Sequence, residues 1–144
     1  MDILCFLLFQ LVITTSASSM DNTPFKGCFT TSWQIYIHNM INDPIAVHVK
    51  SKDDDLGNRT LPFNGSRDWS FCSRVDSKTV FFAYFYWKSR TASFDVYNYS
   101  LGKQYCSPDN SFKVHKCHWL VTEKGFYISR KQDNKRAPKL HDWS

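Results

Sequence analysis

The chain has 144 residues, enough for one domain and hardly two, and a net charge of +5 from 18 Lys and Arg against 13 Asp and Glu. There is no internal repeat, no low-complexity block and, past the first residues, no apolar run long enough to span a bilayer. These features exclude repeat architectures and a helical membrane protein.

The amino terminus reads as an export signal. An apolar run from Ile3 to Ile13, broken only by Gln10, is followed by the small polar stretch Thr14 to Ser19. That pattern describes a secretory signal peptide, although its leading segment carries Asp2 and no Lys or Arg. The expected organisation is a signal peptide over 1–19 cleaved after Ser19, a domain over 20–130 and a basic flexible tail over 131–144. The tail reading rests on Arg130, Lys131, Lys135, Arg136 and Lys139 in a stretch of low apolar content. Cleavage removes one acid and no base, which raises the net charge from +5 to +6. A basic surface can attract nucleic acid, anionic lipid or acidic wall polymers.

Along the rest of the chain the dominant period is two. Trp33, Ile35 and Ile37 alternate with Gln34, Tyr36 and His38; Ile45, Val47 and Val49 alternate with Ala46, His48 and Lys50. Asp53 to Asn58 is rich in turn formers, and Asn64-Gly65 is a strong turn dipeptide. Trp69 and Phe71 then alternate with Asp68 and Ser70. Thr79 to Trp87 is apolar on both faces, as in a central strand. Phe94 and Val96, Trp119 and Val121, and Phe126 and Ile128 continue the alternation, with Glu123-Lys124-Gly125 as a hairpin loop. No segment carries a helical period over three turns, so the mature chain is predicted to be all-β, an antiparallel sandwich of about seven or eight strands.

Cys5 leaves with the signal, and Cys28, Cys72, Cys106 and Cys117 remain. An even count in an exported chain favours two disulfides, with three connectivities open. Asn58-Arg59-Thr60, Asn64-Gly65-Ser66 and Asn98-Tyr99-Ser100 are glycosylation sequons.

The segment His48-Val49-Lys50-Ser51-Lys52-Asp53-Asp54-Asp55-Leu56-Gly57 resembles the hallmark of the plant self-incompatibility S-protein homologue family. There a strand ending in His-Cys-Lys-Ser leads into an acidic turn closed by Leu-Gly. Tyr36-Ile37-His38-Asn39, Trp69-Ser70-Phe71, Thr79-Val80-Phe81-Phe82 with Trp87, Phe94-Asp95-Val96-Tyr97, Cys117-His118-Trp119 and Gly125-Phe126-Tyr127 resemble further family segments in order. Two departures are matched: Val49 and Ala83 stand where the family carries a bridged pair of cysteines. The resemblance sets Cys106 and Cys117 on the family's other bridge, and Cys28 and Cys72 are expected to form a replacement bridge. It also implies a secreted ligand that binds a cell-surface receptor protein; a monomer with no nucleic-acid partner, no stable membrane insertion and no cofactor is expected. Recognition is expected in Asp53 to Asn58, Ser73 to Lys78, Lys88 to Thr91 and Lys103 to Lys116, with Asp53, Asp54 and Asp55 as an exposed acidic tip.

Other chemistry is weakly signalled. The acidic run lacks the alternating ligands of a calcium loop. His115-Lys116-Cys117-His118 has no second cluster to complete a zinc site. His48, Lys50 and His118 could be assembled on paper into the acid–base set of a small basic ribonuclease, but no motif fixes their geometry. A membrane- or wall-binding defence-type protein is the remaining alternative.

Overall fold

The computed structural model describes residues 27–107, 114–132 and 135–144; the expected signal peptide and its cleavage point lie outside them. The strands are β1 (Ser32–Asn39), β2 (Ile45–Ser51), β3 (Asp55–Leu61), β4 (Ser66–Cys72), β5 (Phe81–Trp87), β6 (Arg90–Tyr97), β7 (His115–Thr122), β8 (Gly125–Ser129) and β9 (Lys139–His141). Among the described residues one helix, α1 (Tyr99–Tyr105), interrupts them. Two sheets form, ordered β4-β1-β7-β8-β9 and β3-β2-β5-β6. Every pairing is antiparallel except β1 with β7. That parallel pair requires a long crossover, which the β2 to β6 sheet and α1 supply.

The alternating residues become the core because successive strand side chains face opposite sides. Trp33, Ile35 and Ile37 meet Ile45, Val47 and Val49, Phe85, Val96, Trp119 and Phe126 in one buried cluster. Each such side chain contributes roughly 1.5–3 kcal/mol on burial. Aromatic rings tile its centre: Phe85 lies 4.7 Å from Phe126, and Phe94 lies 5.1 Å from Trp119. Val49 and Ala83 are register partners across β2 and β5, both fully buried, so this apolar pair sits between neighbouring strands. Cys28 is bonded to Cys72, tying the segment before β1 to the end of β4; Cys106 is bonded to Cys117, tying the end of α1 to β7.

Three elements differ from the sequence reading. Asp55 to Asn58, read as the later part of a turn, belong to the edge strand Asp55–Leu61, with a bulge opposite Val49 and Lys50 and Gly57 at φ +81°. That positive φ is why a glycine stands there. Helix α1 was not expected. Its seven residues are too few to show a period, and its middle residue is Gly102, a poor helix former. A Cβ on Gly102 would come within 2.8 Å of the Trp33 and Tyr97 rings, so the glycine is what lets the helix lie on the core.

The third difference is the far end of the expected tail, where residues 139–144 pack against both sheets. Lys139–His141 pairs with β8, and His141 stacks on Phe94 at 3.9 Å. Trp143 packs 4.7 Å from Phe126 and 5.5 Å from Trp87, and its indole N–H donates to the Thr122 carbonyl at 2.8 Å. Ser144 then exchanges backbone hydrogen bonds with Thr91 on β6. Residues 139–144 therefore run from the edge of one sheet to the edge of the other.

Candidate recognition surface

The hallmark segment builds one wall of an open cleft. β2 ends at Ser51, whose N–H donates to the Asp54 carbonyl at 2.7 Å while its Oγ accepts from the Asp54 N–H at 3.0 Å. This tight turn leaves Lys52, Asp53 and Asp54 exposed. Asp55 is exposed too, but it opens β3 and is held in place. Its Oδ1 lies 2.7 Å from His48 Nε2 and accepts from the Gly57 N–H at 2.8 Å. These bonds, that from His48 foremost, hold its carboxyl below the usual carboxylate range. The expected three-residue acidic tip is thus two free carboxylates and one engaged one.

The opposite wall is the β4–β5 loop. Ser77 N–H donates to the Arg74 carbonyl, Thr79 Oγ1 accepts from the Arg74 N–H, and the Arg74 guanidinium pairs with Asp76 at 3.0 Å. Lys78 stands exposed beyond this turn. Between the walls lies a cleft of about 400 Å³ floored by Val80 and Phe82 and rimmed by Lys50, Lys52, Arg74 and Lys78, with Asp53 the one carboxylate lining it. Lys50 Nζ sits 5.2 Å from the Tyr84 ring centroid. Sequence reading named both loops without indicating that they meet. The other two expected loops fare differently. In the segment Lys88 to Thr91, Lys88 and Ser89 make a tight turn with Lys88 at φ 52° while Arg90 and Thr91 open β6, and Lys103 to Lys116 holds the end of α1, the start of β7 and the stretch 108–113 outside the described residues.

The remaining candidates are distributed over the molecule. Asn58 on β3 and Asn64 in the β3–β4 turn are exposed. Asn98 instead caps α1: its Oδ1 accepts from the Leu101 N–H at 2.8 Å and its Nδ2 donates to Asp95 at 3.2 Å. His48 and Lys50 face outward from one sheet and His118 from the other, so the acid–base set drawn from the sequence is not assembled. His118 has a different neighbour. Its Nδ1 lies 2.9 Å from His38 Nε2, and its ring stacks on Tyr36 at 4.3 Å. Burial, then the nearby His38 and Lys116, hold the His118 pKa down to about 4; burial also lowers that of His38. Among the described residues no three His, Cys, Asp or Glu side chains converge as metal ligands, and Cys117 is in a disulfide.

One buried group escaped the sequence reading. Arg67 points inward from β4 and is 4% exposed, with no carboxylate partner among the described residues. Its guanidinium donates to the carbonyls of Val47 at 3.0 Å, Gly57 at 3.0 Å and Leu56 at 3.2 Å, bridging to the opposite sheet. The available signal was its phase, which is that of Trp69 and Phe71 on the same strand.

Fold and surface together define a disulfide-stapled β-sandwich whose regular strands hold charged loops at one end. Residues 34–143 match the family described as plant self-incompatibility protein S1, and the chain belongs to that family. It is similar to S-protein homolog 2 of Arabidopsis thaliana, 31% identical over 135 residues that cover 85% of this chain and 82% of that protein. S-protein homolog 5 of the same plant is 30% identical over 97 residues, covering 65% of this chain and 70% of the relative. The fold is that of a solved structure of SPH (self-incompatibility protein homologue) proteins, described as a widespread family of small, highly stable, secreted proteins from plants. The two agree with a TM-score of 0.56 at 18% identity, over 80% of this chain and 96% of that one.

Proposed function

We propose that this protein is exported and acts as an extracellular recognition ligand, binding a cell-surface receptor protein through the loops at the β2–β3 and β4–β5 end of its sandwich. The observation that carries the reading is the gathering of exposed, unlike-charged side chains from two separate loops around one cleft, on a scaffold stapled by two disulfides, one of them at the root of the β4–β5 loop. Division between a rigid frame and variable loops suits selective binding. Family membership and the apolar run at the amino terminus support export. Asn58 and Asn64, exposed and away from the cleft lining, are the proposed glycan carriers.

The test has two stages. Full-length protein expressed in a plant host is expected in the medium with a start near Met20, Asn-linked glycan and no free thiols. The labelled secreted protein is then applied to intact plant cells, where binding is expected to saturate and to disappear after the cells are treated with protease. Retention inside the cell with four free thiols, or uptake that never saturates, would overturn the reading.

A further inference from the structure

Charge and shape at the cleft narrow the partner further. Lys52 and Lys78 flank it, and among the described residues neither is in an ion pair. Lys50 adds a third cation, resting over Tyr84. Arg74 is already matched by Asp76. Among the described residues Asp53 is the only carboxylate in the lining, against Lys50, Lys52, Arg74 and Lys78, so the described lining has a clear positive excess. Its floor is apolar: Val80 is 39% exposed, and on the adjoining loop Val75 is 91% exposed. A volume of about 400 Å³ accommodates one or two large side chains.

Building on the receptor reading, we propose that this cleft takes an acidic peptide segment of the partner, seating an aliphatic or aromatic side chain on Val80 and Phe82 while flanking carboxylates meet Lys50, Lys52 and Lys78. The apolar floor favours a peptide over an acidic polysaccharide, which has no side chain to cover it, and the excess of cations around it favours carboxylates on the flanking residues. The hallmark acidic run thus borders the site rather than forming it. Asp53 sits on the rim, where it disfavours segments with a carboxylate misplaced toward it.

The probes are a peptide of alternating Glu and Leu, its all-Glu and Lys/Leu counterparts, and oligogalacturonate, each titrated into ¹⁵N-labelled secreted protein and followed by amide shifts. The Glu/Leu peptide is expected to move the amides of Lys50 to Asp53 and Arg74 to Phe82. Its dissociation constant should rise at least tenfold in the double variant K52E/K78E, which should instead gain affinity for the Lys/Leu peptide. Equal binding of all-Glu peptide or oligogalacturonate would mean that charge alone is read and would overturn the assignment. So would shifts centred elsewhere, or unchanged affinity in the folded double variant. Cell binding separates this inference from the one beneath it. If K52E/K78E still saturates the cell surface like the unmodified protein, the cleft assignment fails and the receptor reading stands. If the unmodified protein never saturates, the receptor reading fails, and the peptide titration judges the cleft alone.

Discussion

Along one side of the sandwich, residues 139–144 cross from β9 to β6 and cover the gap with His141 and Trp143. Along the other, the gap between β4 and the β2–β3 pair is spanned by one buried guanidinium on three backbone carbonyls. The first closure adds a few hydrogen bonds from Trp143 and Ser144 but is made chiefly of area, which is non-directional and degrades gradually as atoms are removed. The second is made of directed bonds from a cation that no carboxylate among the described residues neutralises. Burial and the nearby Arg59 lower its pKa, yet the planar fork still fits three acceptors at once. A contact of that kind depends on the geometry of the donor and falls steeply when that geometry changes.

Substitutions on the two sides should therefore differ in character as well as size. Arg67→Ala should cost about 3–5 kcal/mol, since charge-assisted bonds are lost and inward-facing carbonyls lose their donor. Arg67→Lys should recover less than half of that loss, because an ammonium cannot reproduce the fork. Urea denaturation measures both, and near-full rescue by lysine would show that charge rather than bond geometry closes this side. Trp143→Ala should cost about 2–3 kcal/mol, toward the lower end for a large aromatic that is only partly buried. Trp143→Phe should restore most of it, losing chiefly the bond to Thr122. Graded recovery there and steep loss at Arg67 is the expected contrast in the denaturation midpoints.

Acid offers a second separation. His118 has a folded pKa of about 4, below its ordinary value near 6.5, and burial also lowers those of His38 and His141. Between those limits the unfolded chain binds protons that the folded chain refuses, so stability falls as pH drops from about 6.5 to 4. Full protonation would also place two cations on the His38–His118 contact, whose neighbours are Tyr36, Asp68 and Lys116. The loss should be about 2 kcal/mol, read as a falling Tm, and His118→Gln should flatten the slope. Asp43 and Asp55, held low by bonds from Trp87 and His48 foremost, lose their contributions only at still lower pH. Because His141 belongs to the aromatic closure and the guanidinium does not titrate in this range, the cost of Trp143→Ala should shrink by pH 4.5 while that of Arg67→Ala stays constant. Equal shrinkage of both would break the distinction between the two sides.

What the sequence disclosed follows from the same physics. Strands with one apolar face announce themselves by alternation, which is why β1, β2, β5, β7 and β8 were legible. β3 was not: only Leu61 of its seven residues is buried, and the Asp and Gly that form its bulge are also turn formers. Helix α1 was concealed by Gly102, needed for close approach to Trp33, and by Asn98, whose sequon obscured its role as a cap. Charge in 131–139 suggested a solvated tail, yet His141 and Trp143 just beyond it carry the packing. The hallmark turn was readable as a turn, but a cleft shared with Arg74 to Val80 depends on β2 and β5 being neighbours, a pairing that local pattern does not specify.

The smallest expected effect concerns the middle of the second sheet. Val49 and Ala83 face each other across β2 and β5, where the family resemblance implies a disulfide. The V49C/A83C variant should oxidise and gain about 1–2 kcal/mol, since a crosslink worth roughly 2–4 kcal/mol replaces some apolar burial. Thiol titration and Tm in oxidising and reducing buffer measure it. The crosslink acts mainly on the unfolded chain, so in the Trp143→Ala background it should add the same increment. Arg67→Ala is a sharper case, because Arg67 grips β2 at Val47, two residues from the new cysteine. If the guanidinium sets the position of β2, oxidation there should be slower or incomplete, and the increment smaller. Identical oxidation in both backgrounds would mean that β2 holds its place through pairing with β5 alone, leaving Arg67 to stabilise the edge strand β3.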